Sequence, residues 1–245
     1  MVYQGSKEKL SGDIVPILQR IIKENDIHTY IEPFCGSAAI IDKIRCDKRI
    51  ASDINPYLIE VLRYAQKDPS LSILPQECSK EHYAEVRECF KHDCFDQYSM
   101  AYVGCIGYCA SYGGRFFDGG YGKDPSGKRN IFAERVKNLK EQALHLRGIE
   151  FYCYDYKEYK PENFENCLFY VDFPYAGTKQ YGKFPISNYN ELYDWLRELG
   201  KRNHVIISEY AMPEDFKEIW RKERKVCQRS DRIKADSAIE KLFTI

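Results

Sequence analysis

Apolar positions along the chain recur with two periods. Ile14, Ile17, Leu18, Ile21 and Ile22 fall three or four residues apart, which predicts a helix over 13–23 with one apolar face. Asp13 is placed as its N-cap, and Pro16 fits only near the first turn. A short strand over 28–32, the turn Pro33-Phe34-Cys35-Gly36-Ser37, a second apolar helix over 38–44 and a strand over 49–52 ending at Asp53 follow. Helical spacing dominates 56–110, most clearly over 57–66 and 82–90. Residues 111–130 break every period: this is a glycine-rich loop interleaved with aromatics and cations. An amphipathic helix over 131–146 precedes a strand over 149–154 that runs into Asp155-Tyr156. The continuous apolar run 168–171 predicts a buried strand, stopped by Asp172-Phe173-Pro174-Tyr175. A helix over 189–199, a strand over 204–208 and closing strands over 225–229 and 241–244, which could pair as a hairpin, complete the pattern. The Lys/Arg-rich stretch 217–234 reads as a solvated helix face.

Strand, glycine-bearing turn, helix, strand and acid form the opening of a Rossmann-like βαβ unit. The simplest architecture is one α/β sheet interrupted by a mainly helical insertion. That gives a catalytic domain over 1–59 and 146–245 and an inserted domain over 60–145.

Three strand ends carry candidate chemistry, as expected where open α/β sheets bind ligands at the carboxyl ends of their strands. Gly36 lets backbone approach a ligand, and Asp53, seventeen positions later, is placed to accept hydrogen bonds from a ribose diol. The turn lacks a full G-x-G-x-x-G, which disfavours a dinucleotide and a nicotinamide oxidoreductase. A nucleoside site and plain turn chemistry remain equally matched on spacing alone. Asp155-Tyr156 offers an acid and its neighbouring backbone to an adenine ring, or simply ends a strand. Asp172-Phe173-Pro174-Tyr175 joins a carboxylate, a carbonyl and a ring, a set that suits a planar substrate bearing an amine. Pro174 biases Phe173 toward an extended backbone.

Taken together and in this order, the motifs resemble a Dam-type adenine-N6 DNA methyltransferase, and in particular the versions common in phages and prophages. The likeness runs over nearly the whole chain. It rests on Tyr3-Gln4-Gly5-Ser6-Lys7, Glu32-Pro33-Phe34-Cys35-Gly36-Ser37, Ser52-Asp53-Ile54-Asn55, Ser111-Tyr112-Gly113-Gly114-Arg115-Phe116 and the stretch from Tyr170 to Tyr181. The resemblance implies a Rossmann-like sheet that binds S-adenosylmethionine and releases S-adenosylhomocysteine, with no metal. Tyr3, Lys7, Glu32, Pro33, Phe34, Gly36 and Ser37 would line the cofactor, Asp53 and Ile54 its ribose, and Asp155 and Tyr156 its adenine. Asp172 would serve both the methionine end and the target amine. The 60–145 insertion would recognise the DNA target, through Tyr112, Arg115, Phe116, Lys123, Lys128 and Arg129.

One position departs from the family's Asp-Pro-Pro-Tyr: Phe173 stands where the first proline belongs. The carbonyl acceptor survives, but the fixed φ of proline is lost and a bulky ring is expected at the base pocket. The alternative reading is therefore a weakened or inactive relative that still binds cofactor and DNA. Cytosine N4 and RNA amines stay open on the tetrapeptide alone; a cytosine-C5 enzyme is disfavoured, because no Pro-Cys dipeptide occurs.

Composition changes this picture little. Lys and Arg total 37 and Asp and Glu 37, so any attraction to double-stranded DNA must be local. The 10 cysteines form no Cys-x-x-Cys pair or zinc spacing, and read as structural thiols in a reducing, cytoplasmic setting. No signal-peptide pattern and no membrane-length apolar run occur. The sequence specifies no assembly; a monomer is the simplest expectation.

Overall fold

The computed structural model describes residues 1–93, 96–175, 186, 188–225 and 237–245. Its centre is a seven-stranded sheet: β1 (Thr29–Glu32), β2 (Lys48–Ser52), β3 (Ile149–Tyr152), β4 (Leu168–Val171), β5 (His204–Glu209), β6 (Lys217–Lys225) and β7 (Ser237–Thr244), in the spatial order β3-β2-β1-β4-β5-β7-β6. The first five strands run parallel, and β7 inserts antiparallel between β5 and β6. All five parallel strands therefore deliver their carboxyl ends to one edge.

The helices are α1 (Ser11–Glu24), α2 (Pro56–Lys67), α3 (Lys80–His92), α4 (Met100–Cys109), α5 (Ile131–Ala143) and α6 (Tyr189–Gly200). Two apolar clusters flank the sheet. The larger joins α1 through Ile14, Leu18 and Ile22 to α2, α3, α4 and α5 and to one sheet face. The smaller lies on the opposite face, where α6 packs Leu192, Leu196 and Leu199 against Ile31, Phe169, Val171 and Val205. Strand periodicity assigns each side chain to one face or the other.

Several expectations need correction. The α1 helix starts at Ser11, so Asp13 is no N-cap; it sits in the first turn, where its charge complements the helix N-terminus, and pairs with Lys222 at 2.6 Å. The predicted helix over 38–44 shrinks to a 3₁₀ turn, Ile41–Lys43. Its apolar residues face the core on every side, so they carry burial without helical period. The β3 strand stops at Tyr152, two residues early. The basic stretch from Lys217 is strand β6, not a helix face. Alternating charges on an edge strand imitate a solvated helix, and edge strands commonly carry such charge. Residues 226–229 of the predicted closing strand lie outside the described residues. Helix α4 escaped individual notice because it is buried nearly all round and shows no polar face.

Candidate active site

The N-terminal arm crosses the carboxyl edge of the sheet. Ser6 caps a 3₁₀ turn, Lys7–Leu10, and takes a 3.0 Å hydrogen bond from the Ser37 hydroxyl, which ties the arm to the turn after β1. Tyr3 lies over Gly36. That glycine has φ +48°, and a Cβ there would come within 3.1 Å of the Tyr3 ring, so both backbone and space favour glycine. Tyr3 also packs against Tyr108 of α4, with ring centroids 5.8 Å apart. Burial first, then the charges of Asp53 and Asp172, holds the Tyr3 phenol well above its ordinary range.

Asp53 follows β2 directly. One carboxylate oxygen accepts from the Gly36 N–H at 3.2 Å and the other from the Asn55 N–H at 3.0 Å. Burial nonetheless pushes the carboxyl up to about 6, against the pull of those two donors. Asn55 caps α2 with its side-chain oxygen, and its amide donates to the Tyr108 hydroxyl at 3.0 Å.

Asp172 follows β4. Lys7 Nζ stands 3.1 Å from Asp172 Oδ1 and 3.4 Å from Glu240 Oε2, and it also meets the Tyr175 hydroxyl. The same hydroxyl lies 2.9 Å from Ser208 Oγ and donates to Glu240 Oε2 at 2.8 Å. The Tyr175 ring meets Tyr210 edge-on at 4.5 Å, with Lys7 Nζ 4.4 Å from the ring centroid. Burial raises the Asp172 carboxyl to about 6; Lys7 opposes this rise and the like charge of Glu240 adds to it. Lys7 is itself buried, which disfavours its charge, but Asp172 and Glu240 outweigh that and raise its pKa. A further buried acid, Glu32, accepts from the Tyr30 hydroxyl at 2.7 Å; burial holds its carboxyl far above the carboxylate range.

Alternation explains why these acids share a side. Tyr30, Tyr170, Ile206 and Leu242 all face the larger apolar cluster. Two residues along each strand, on the same face and at the carboxyl edge, stand Glu32, Asp172, Ser208 and Glu240. In register, Glu32 pairs with Ala51, which places Asp53 on that face as well. The strands are thus apolar where they are deep and acidic where they end.

The same alternation corrects the expectation for Phe173. Its ring is 1% exposed and lies on the opposite face, against Phe34, Tyr189 and Tyr193 at centroid distances of 6.2, 6.1 and 6.5 Å. It adds no bulk beside Asp172. Pro174 is exposed, and its carbonyl accepts from the Tyr189 hydroxyl at 2.6 Å. Beyond Tyr175, the motif residues through Tyr181 lie outside the described residues.

Phe34 and Tyr156 stack at 5.6 Å, with Tyr156 backed edge-on by Trp195 at 5.1 Å. Ile54 is exposed, and the Pro33 carbonyl accepts from Ser52 at 3.3 Å. Asp155 spends one oxygen capping its own 3₁₀ turn through the Lys157 N–H, at 3.0 Å. Cys35 is buried and its thiol held well above its ordinary pKa by burial, as befits a structural cysteine.

The glycine-rich loop is more built than its composition suggests. Ser111 and Tyr121 form a bridge; Ser111 Oγ accepts the Phe117 N–H at 2.9 Å and meets the Tyr83 hydroxyl at 3.0 Å. Phe116 and Phe117 both have positive φ, a conformation that aromatic residues hold only when their surroundings impose it. Phe116 is packed against Tyr57, Phe90 and Tyr108 rather than presented to solvent, so its ring serves the loop's foundation. Tyr112, 52% exposed, and Arg115, Lys123 and Lys128 do face solvent. Arg129 does too, but it forms a two-point pair with Glu134.

Four participants escaped sequence reasoning: Glu240, Ser208, Tyr210 and Tyr108. Ser208 and Tyr210 were detectable, since they end a predicted strand at the ligand-binding edge. Glu240 gave no signal, because it stands one residue before the predicted last strand and enters the edge antiparallel.

A model of the D12 class N6 adenine-specific DNA methyltransferases matches residues 3–226. The type II methyltransferase M.MjaIII of Methanocaldococcus jannaschii is 25% identical over 249 residues, covering 87% of this chain and 84% of that protein. The type II methyltransferase M.FokI of Planomicrobium okeanokoites is 25% identical over 211 residues, or 78% of this chain. The chain spans only 31% of that relative's length. Among solved structures, the rRNA methyltransferase aviRa of Streptomyces viridochromogenes aligns over 94% of this chain and 84% of its own, with a TM-score of 0.37 and 13% identity. The family match extends over nearly all of the sheet and across the helices of 60–145, and the chain belongs to the D12 class of N6 adenine-specific DNA methyltransferases.

Proposed function

We propose that this chain methylates the N6 amine of an adenine swung out of double-stranded DNA, using S-adenosylmethionine. The observation that carries the proposal is the edge cluster itself. Asp53, Asp172 and Glu240 converge with Lys7 as the cation that bridges two of them, leaving an excess of negative charge. Such a site suits a ligand that brings a sulfonium and an ammonium, with Lys7 available to its carboxylate. Asp53 suits the ribose diol, and the Phe34–Tyr156 pair provides an apolar, aromatic seat for adenine beside Ile54. The Glu32–Ser37 turn supplies backbone along the methionine end. Tyr3 covers it.

Bound S-adenosylmethionine supplies an electrophilic methyl group and leaves as S-adenosylhomocysteine, its sulfur keeping the electron pair of the broken C–S bond. The remaining work belongs to this chain. The Asp172 carboxylate and the Phe173 carbonyl each accept a hydrogen bond from the target NH2, which turns the nitrogen lone pair out of the ring conjugation. Asp172, ionised above about pH 6, is the first acceptor for the proton released from N6. Positioning supplies the rest of the rate. The Tyr175 ring stacks on the extruded base, offsetting part of the few kcal/mol that unstacking costs. Residues 1–59 and 146–245 form the catalytic unit; 60–145 recognises the target, with Tyr112, Arg115, Lys123 and Lys128 on its exposed loop. The burial of the Phe173 ring on the far face favours an active enzyme over a blocked one.

The test is transfer from methyl-labelled S-adenosylmethionine to unmethylated DNA, followed by digestion to nucleosides. Label in N6-methyladenine is expected. Label only in cytosine, or none from well-folded protein that binds the cofactor, would overturn the proposal.

A further inference from the structure

We infer that Glu240 is a positioning residue for methyl transfer, acting through Tyr175 and Lys7 without touching the reacting atoms. The inference rests on the function proposed above and deepens it.

Three observations converge. Glu240 is 6% exposed, yet it comes from an antiparallel strand near the far end of the chain. Buried carboxylates are costly unless their partners are well placed. Its partners here are Lys7, at 3.4 Å, and the Tyr175 hydroxyl, at 2.8 Å. Both of these partners belong to the candidate site. The second observation is division of labour. Lys7 is held between Asp172 and Glu240, so Asp172 is not its sole counter-ion. With Glu240 sharing the cation, an oxygen of Asp172 is left for the target amine. The third is Ser208, which meets the Tyr175 hydroxyl from β5 at 2.9 Å, so that two strands fix the phenol while its ring lies beside the base site.

The groups facing Asp172 come from four elements: Lys7 and Tyr3 from the arm, Glu32 from the end of β1, Tyr170 and Tyr175 from β4 and its turn, and Glu240 from β7. Removing the Glu240 charge alone leaves the Lys7 cation more fully to Asp172.

The experiment compares Glu240→Gln and Glu240→Ala in the full chain with labelled transfer to unmethylated genomic DNA. Glu240→Ala is expected to lower kcat roughly 10–100-fold, the scale of a misplaced reacting group, and to weaken S-adenosylmethionine binding by a smaller factor than the loss in kcat. Glu240→Gln keeps an oxygen for the Tyr175 hydroxyl, so it should recover most of kcat. It should also move the acidic limb of the kcat profile to lower pH. Unchanged kcat in the alanine variant, equal losses in both variants, or an unmoved acidic limb would overturn the inference. A second readout separates this from failure of the proposed function: NMR of ring-labelled tyrosine, with Tyr175→Phe to assign the signal. Even in a chain that transfers no methyl, Glu240→Ala must shift the Tyr175 resonance, and an unshifted resonance overturns the role.

Discussion

Asp53 offers the sharpest measurement, because the charge proposed to serve the cofactor works against the fold. Its carboxyl rises from 3.8 to about 6 in the folded protein, chiefly through burial. Roughly two pH units at about 1.4 kcal/mol each make an ionised Asp53 cost about 3 kcal/mol above pH 7. The sign follows from which state holds the proton more tightly. Here it is the folded state, so the cost is absent below about pH 4, grows as pH rises through the interval between the two pKa values, and is complete above the folded one. Asp53→Asn removes the charge but keeps one acceptor oxygen, so one of the hydrogen bonds from Gly36 and Asn55 is lost, at about 1 kcal/mol. The variant should therefore be about 2 kcal/mol more stable than wild type at pH 8 and about 1 kcal/mol less stable at pH 4. Urea unfolding of ligand-free protein followed by circular dichroism from pH 4 to 8 reads this difference directly, since all other titrating groups cancel. The same variant should bind S-adenosylmethionine roughly 10–100-fold more weakly by calorimetry, through loss of charge-assisted bonds to the ribose. A stability difference that is flat with pH, or reversed in sign, would refute the burial reasoning. Unchanged affinity would refute the ribose assignment.

Other substitutions probe neighbouring parts of the site. Asp172→Asn should reduce methyl transfer roughly 10²–10⁴-fold, measured by single-turnover labelling, while retaining measurable cofactor binding. Phe173→Pro restores the family residue but deletes a fully buried ring; a stability loss of about 3 kcal/mol by denaturant titration, with no gain in transfer rate, is expected. Arg115→Ala should weaken DNA binding, lower the salt dependence by about one phosphate contact in binding titrations, and leave S-adenosylmethionine affinity unaltered. Gly114 has φ +69°, and a Cβ would come within 2.6 Å of the Val2 carbonyl; Gly114→Ala should therefore weaken cofactor binding from a position in the glycine-rich loop, as calorimetry would show.

Much of the candidate site was legible because two of its acids end apolar runs. Asp53 and Asp172 stand directly after strands whose hydrophobic residues mark them, and Gly36 lies where a backbone turn demands it. The run 168–171 coincides with β4 to the residue, since four buried positions in succession leave no other reading. The rest failed for identifiable reasons. A strand end tells that a side chain reaches the edge, but not which face it takes until neighbouring register is known. Phe173 was misjudged on that account: one step along the chain from Asp172 is the full thickness of the sheet away. Glu240 was invisible because antiparallel insertion reverses which end of a strand meets the site. The loop at 111–121 read as unstructured because its order comes from buried hydroxyls and strained aromatics, Ser111, Tyr83, Phe116 and Phe117, none of which leaves a periodic trace.

The arm explains how so polar an edge holds together. A parallel sheet ends in a row of carboxylates that repel one another and have lost most of their water. A cation from the arm reaches between two strand ends, pairing with Asp172 and Glu240. Lys7 does this on a segment pinned at three places: Ser6 to Ser37, Tyr3 over Gly36, and Val2 beneath Gly114. The last contact belongs to the loop that carries Tyr112 and Arg115. Lys7, which pairs with Asp172 and Glu240, is thus carried on the same short segment that touches the glycine-rich loop.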